Sequence, residues 1–137
     1  MKTVIIIFLS TIMLSTLCLA DEYVVISNSK MKDLSATQIK AIFLKKIAVI
    51  DNLDAVPVNL GAMDPIREKF ENKIVEMNLE RLKSYWIKEH YLGKRPPVTM
   101  QSEESVKAFV KKVEGAIGYI NAKNLDNSVK VLYRWSE

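Results

Sequence analysis

The residues whose spacing best suits a chemical task lie between Asn59 and Arg67. Before them Val56, Val58 and Leu60 alternate; after them Ile66, Phe70 and Ile74 recur every four residues. A period of two followed by a helical period reads as strand, tight turn and helix. Pro65 suits the first helical position, because its φ is preset and it has no N–H to leave unpaired. Asp64 is placed to cap that helix. Gly61 admits a turn that a Cβ would hinder, and lets a solute approach the backbone. Unpaired amides at a helix start attract anions. The chemistry on offer is therefore anion binding, with Asn59, Gly61, Ala62 and Arg67 as candidate contacts. Two features oppose it. The Asp64 carboxylate would itself occupy the helix start and repel an anion, and Arg67 has an alternative partner in Glu71, four residues along the same face.

Ser27 and Asn28 form a second candidate group. They end the apolar run Glu22–Ser27 and would present a hydroxyl and an amide at a strand terminus. The same residue types are also ordinary turn formers. Nothing else gathers catalytic groups. His90 is the only histidine and Cys18 the only cysteine, which leaves no metal-ligand set and no Ser–His–acid grouping. The chain reads as a non-enzyme without cofactor or metal, and His90 as a helix-end cation or surface residue.

These groups need elements to hold them. Glu22–Ser27, rich in β-branched and aromatic residues, predicts a first strand covered on both faces. Leu34-Ser35 with Gln38 is a capping box, and Ile39, Ile42 and Phe43 give the helix it starts an apolar face. Ile47 to Asp54 reads as a loop. Asn78 marks a break, after which Leu79, Leu82, Tyr85 and Trp86 sit at core-facing spacing. Gly93-Lys94-Arg95-Pro96-Pro97 is a loop, since its prolines lack donors and force an extended path. Ser102 starts another helix, with Val106, Phe109, Val110 and Val113 on one side and Gly115 as its stop. Ala116–Ile120 and Val129–Tyr133 read as closing strands. Strands alternating with helices point to a two- or three-layer α/β domain with a mixed sheet.

The first stretch belongs to processing. Met1-Lys2, the apolar run Val4–Leu14 and the small-residue exit at Cys18-Leu19-Ala20 predict a secretory signal peptide over residues 1–20, with one domain over 21–137 and a periplasmic destination. Of the 137 residues, 20 are Lys or Arg and 16 Asp or Glu. Losing Lys2 and Cys18 with the leader leaves a charge near +3, no disulfide and no thiol. The charges are interspersed, and no basic run alternates with aromatics. Nucleic acid is therefore excluded as a partner, and the basicity serves solubility with a mild pull on anions.

Three segments carry a resemblance to a known family. Leu34–Lys46 is similar to a "Leu-Ser/Thr, Ile-Phe, Leu/Gly-Lys" helix, and Pro57-Val58-Asn59 leading to Ile66–Phe70 to a ligand-loop strand and helix. Gly115-Ala116-Ile117-Gly118-Tyr119 is similar to a Pro-Gly-Ala-Ile-Gly-Tyr signature, with Glu114 for the proline, and the spacing of Trp86, Gly93 and Pro96-Pro97 also fits. In these the chain resembles the phosphate-binding periplasmic receptors of ABC importers, which are type II periplasmic binding proteins. The resemblance implies a single-lobe domain of that type, a mixed sheet flanked by helices. It also implies phosphate or a related small anion as ligand, and an ABC permease or other envelope protein as partner. The family's anion loop places an Arg four residues before Ser-Gly-Thr; here those positions hold Leu60 and Asp64-Pro65-Ile66. Several charge-assisted bonds of about 1.5–3 kcal/mol each are thereby lost. The alternative implied is an interaction module that kept the lobe and lost the anion loop. The resembled receptors close two lobes on their ligand, and two copies of a single lobe could rebuild such a cleft as a homodimer.

Overall fold

The structure, a computed structural model, describes residues 20–137; the expected leader, except Ala20, lies outside them. Strand β1 (Glu22–Ser27) is buried at every position after Glu22. It pairs antiparallel with β6 (Ala116–Asn121) on one side and β7 (Lys130–Ser136) on the other. Strand β4 (Val56–Leu60) runs parallel to both β6 and the short β5 (Val98–Met100). The sheet order is β5-β4-β6-β1-β7, so β5 and β7 are its edges.

Two adjacent residues of β6 show how the layers stack, because neighbours on a strand face opposite sides. A Cβ on Gly118 would lie 2.5 Å from Val106 Cγ1 of helix α4 (Glu103–Lys112), so this side is packed to contact. The next residue, Tyr119, stacks on Phe70 with centroids 4.0 Å apart and lies 6.1 Å from Phe43. Those two rings belong to α2 (Pro65–Phe70) and α1 (Ala36–Phe43). Helices therefore cover both faces, and the domain is a three-layer α/β structure with a mixed sheet.

Local signals shape most elements as expected. Ser35 and Gln38 form the capping box of α1, and Ile39, Ile42 and Phe43 are buried. Ser102 caps α4 through Ser105 N–H. That helix ends earlier than the glycine stop expected, at the extended cap Val113; Gly115 turns the chain two residues later at φ +83°, where a Cβ would also sit 2.0 Å from Asp54 O, so glycine is required there twice over.

Several expectations are corrected. The stretch from Ile47 to Asp54 contains a small hairpin, β2 (Val49–Ile50) and β3 (Leu53–Asp54). Asp51 and Asn52 turn it at φ +46° and +64°, the left-handed pair that a two-residue hairpin turn demands. After α2 the chain widens into a π-helical turn (Glu71–Val75) that buries Ile74 and Val75 together. Asn78 then caps helix α3 (Leu79–Tyr91) by accepting Arg81 N–H. Leu82 of α3 is buried, but Leu79, expected in the core, is 52% exposed. Strand β5 follows the proline loop unforeseen, and β7 runs three residues beyond Tyr133. No helix among the described residues is long and apolar enough to cross a membrane.

Candidate functional site

At the carboxyl ends of β4 and β5 lies a cleft of about 440 Å³, lined by Gly61, Ala62, Met63, Asp64, Arg67, Thr99 and Gln101. This is where open α/β sheets bind their ligands. The turn that forms it is closed by Asp64 N–H donating to Gly61 O at 2.9 Å. Asp64 Oδ1 accepts Ile66 N–H at 2.9 Å, and Asp64 O accepts Arg67 N–H at 3.1 Å. The start of α2 is thus satisfied by its own cap. Ala62 and Met63 line the cleft, and no hydrogen bond from either amide is found among the described residues. Gly61 is not forced by sterics: a Cβ there would meet only Gln101 Oε1 at 3.9 Å.

Arg67 takes the helix-face partner foreseen for it, and a second one. Its Nε donates to Glu71 Oε1 and its Nη1 to Leu60 O, each at 3.0 Å. The two side chains of the pair are only 17% and 13% exposed. Burial pushes the Glu71 carboxyl up, and Arg67 pulls it partly back. Leu60 is held from its other side as well. Its N–H donates to Tyr119 Oη at 3.1 Å, and that hydroxyl donates to Asn59 Oδ1 at 3.0 Å. Burial pushes the Tyr119 phenol well above its usual range, so it stays a neutral donor. Asn59 therefore belongs to a buried clasp between β4, β6 and α2, and reaches the cleft only through Leu60.

The sheet register separates the other candidates from this corner. Ser27 pairs with Ile117, and so does Pro57, which places Ser27 at the amino end of β4. Gly61 lies four residues further on, roughly 13 Å away at strand rise. One small anion cannot bridge the two. Ser27 is fully buried, its Oγ donating to Asn28 O. Asn28 Nδ2 donates to Val110 O at 3.1 Å and Lys111 O at 3.0 Å, while its Oδ1 accepts Lys30 N–H at 3.1 Å. Asn28 clamps the last turn of α4. Gly61, Ala62 and Arg67 share the cleft; Asn59 stands behind it; Ser27 and Asn28 are elsewhere. Thr99 and Gln101 line the cleft unforeseen, since β5 was not expected.

The corner can hydrogen-bond an oxygen-rich solute through the Ala62 and Met63 amides and the polar groups of Thr99 and Gln101. The cleft's own charged groups, Arg67 and Asp64, are of opposite sign, so it offers a polyanion no net attraction. Arg67 donates through Nε to Glu71 and through Nη1 to Leu60 O, which leaves further guanidinium N–H groups for a solute. Among the described residues no group of three or more His, Cys, Asp or Glu side chains could hold a metal ion.

Architecture and cleft together define a single periplasmic-binding-protein-like lobe. Solved structures share it. A protein from Clostridium perfringens, assigned as a phosphate ABC transporter substrate-binding protein and solved with bound phosphate, is 25% identical with a TM-score of 0.66; the match covers 82% of this chain and 44% of that one. An ABC-type phosphate transport receptor from Vibrio cholerae is 19% identical, with a TM-score of 0.59 over 82% of this chain and 45% of its own. PstS from Borrelia burgdorferi is 13% identical, with a TM-score of 0.62 over 82% and 46%. The chain spans less than half the length of each. No protein-family model and no curated protein matches the chain.

Proposed function

We propose that the chain is an exported solute-binding lobe that takes a small oxyanion such as phosphate in the cleft at Gly61–Arg67 and serves an ABC-type importer. What carries this reading is the place of the cleft. It opens at the carboxyl ends of β4 and β5, in a fold matched over 82% of the chain by a protein solved with phosphate bound. In the proposed complex the Ala62 and Met63 amides and the Thr99 hydroxyl hold the oxygens, and Arg67 offers its further N–H groups to the anion. Because the Arg67 charge is already paired with Glu71 and Asp64 opposes an anion, affinity is weak, with Kd of order 1 mM.

The second reading, an interaction module without a ligand, is favoured by the pairing of the Arg67 charge with Glu71 and its second bond to Leu60 O. Calorimetry and thermal melting of the purified chain with phosphate and sulfate separate the two. The solute reading expects saturable heat that falls at least tenfold in Arg67→Ala with the fold retained. No heat and no melting shift at 20 mM of either anion, a concentration well above that Kd, would leave the module reading.

A further inference from the structure

Helix α3 carries apolar surface that the fold does not use. Leu79, Lys83, Trp86, Ile87, His90 and Tyr91 recur at helical intervals and line a groove of about 520 Å³. Pro96 closes one side, and the Arg67–Glu71 pair also borders it. Its volume lies within the range of small-molecule sites, roughly 300–1,000 Å³, and its lining is mostly apolar with few charges, as in such sites. Leu79, Ile87 and Tyr91 are 52%, 64% and 85% exposed.

The charges of the lining select the occupant. Arg67 and Glu71 neutralise each other. Lys83 has no ion-pair partner among the described residues, so the trough holds one unbalanced positive charge beside Trp86 and Ile87. We infer that this groove binds a small organic anion with an apolar body, such as a medium-chain or aromatic carboxylate or sulfonate. Its head group meets the Lys83 ammonium, and its body lies on Leu79, Trp86 and Ile87. A second copy of the chain fits poorly. A two-fold pairing of grooves would bring together two Lys83 ammonium groups that have no ion-pair partner among the described residues, and they repel. Arg67 borders both this groove and the cleft at Gly61, whereas Lys83 and Ile87 line only the groove, so variants at those two positions report on the groove alone.

The test titrates the purified chain with 1-anilinonaphthalene-8-sulfonate, an aromatic sulfonate, following energy transfer from tryptophan. Saturable binding at one site per chain is expected, weakened about fivefold in Lys83→Gln and abolished in Ile87→Glu, with the transfer in Trp86→Phe reduced to what Trp135 supplies. Decanoate should displace the probe and decanol should not. These positions are at the surface, and melting curves confirm that the variants fold. Unsaturable binding, equal affinity in Lys83→Gln, or equal displacement by decanol would overturn the assignment. So would self-association in sedimentation that Ile87→Glu abolishes, which gives the groove to a second copy, or retention on phosphatidylglycerol vesicles lost in the same variant, which gives it to a lipid surface. Phosphate calorimetry on Lys83→Gln should match the unaltered chain, so failure here and failure at the Gly61 cleft are told apart.

Discussion

Replacing Asn28 by Ala removes three hydrogen bonds from the junction of β1 and α4. Two come from one amide nitrogen to the Val110 and Lys111 carbonyls, and the third is the acceptor for Lys30 N–H. Asn28 is 5% exposed and Val110 fully buried, so water does not easily take over at Val110 O. A buried carbonyl that loses its donor costs about 1–3 kcal/mol, and each partly exposed bond about 1 kcal/mol. The sum is about 3–5 kcal/mol, a large share of the roughly 5–15 kcal/mol typical of a domain. The melting temperature should fall by about 12–20 °C. Urea unfolding followed by circular dichroism measures it, and an unchanged slope with a lower midpoint marks a loss of stability alone. Asn28→Asp is the sharper variant. It keeps the acceptor for Lys30 but turns a carboxylate toward two carbonyls, so it should destabilise at least as much. A midpoint within about 0.5 kcal/mol of the unaltered chain in Asn28→Ala would refute the clamp. Loss of phosphate binding with stability unchanged would return Asn28 to the ligand.

Three further variants follow from the cleft and the turns around it. Glu71→Gln should leave Arg67 with unpaired charge and tighten phosphate binding roughly tenfold, by about one charge-assisted hydrogen bond, as read by calorimetry. The same variant tests the sign of the Glu71 titration. Burial raises this carboxyl in the folded chain, so the folded state keeps its proton longer, and the group's contribution to stability declines as pH rises through its ordinary value and past the raised one. Glu71→Gln should therefore gain on the unaltered chain between pH 4 and pH 7 in urea midpoints; the reverse trend would contradict a raised pKa. Gly61→Ala should change stability by less than about 0.5 kcal/mol, as expected for a surface position without special geometry. Gly115→Ala should cost more than about 3 kcal/mol, since it combines a left-handed φ with a backbone clash. Equal effects in the two melts would show that the turn geometries have been misread.

Elements with complete local signals were legible in the sequence. The Ser35–Gln38 box, the Asp64-Pro65 start and the Ser102 cap each satisfy their own helix termini within four residues, so no tertiary knowledge is needed to find them. Strand β1 was legible because both its faces are buried and its apolar run is unbroken. The hairpin at Asp51-Asn52 was not, because two-residue strands show no period. Strand β5 was hidden between Pro97 and Ser102 for the same reason. Of the cleft, the Arg67–Glu71 pair was readable from its four-residue spacing. The bonds that decide what Arg67 and Asn59 can do run to Leu60 O and to Tyr119, which is sixty residues from Asn59, and local pattern does not encode them. Ser27 and Asn28 were grouped with Gly61 because strand ends look alike in sequence. Only the pairing of Ser27 and Pro57 with Ile117 shows which end of the sheet each one occupies.

The two borders of the sheet bear on how this chain can meet its own kind. Strand β5 offers only three residues to a visitor and is led in by Pro96-Pro97, which have no amide hydrogens to give. The opposite border, β7, carries Lys130 and Arg134 and is kinked where its pairing with β1 slips between Val25 and Ile26. Neither border is a template on which another strand can lie flat. Crowded copies are thereby kept from fusing into a continuous ribbon, and any lasting association must form through helices or loops.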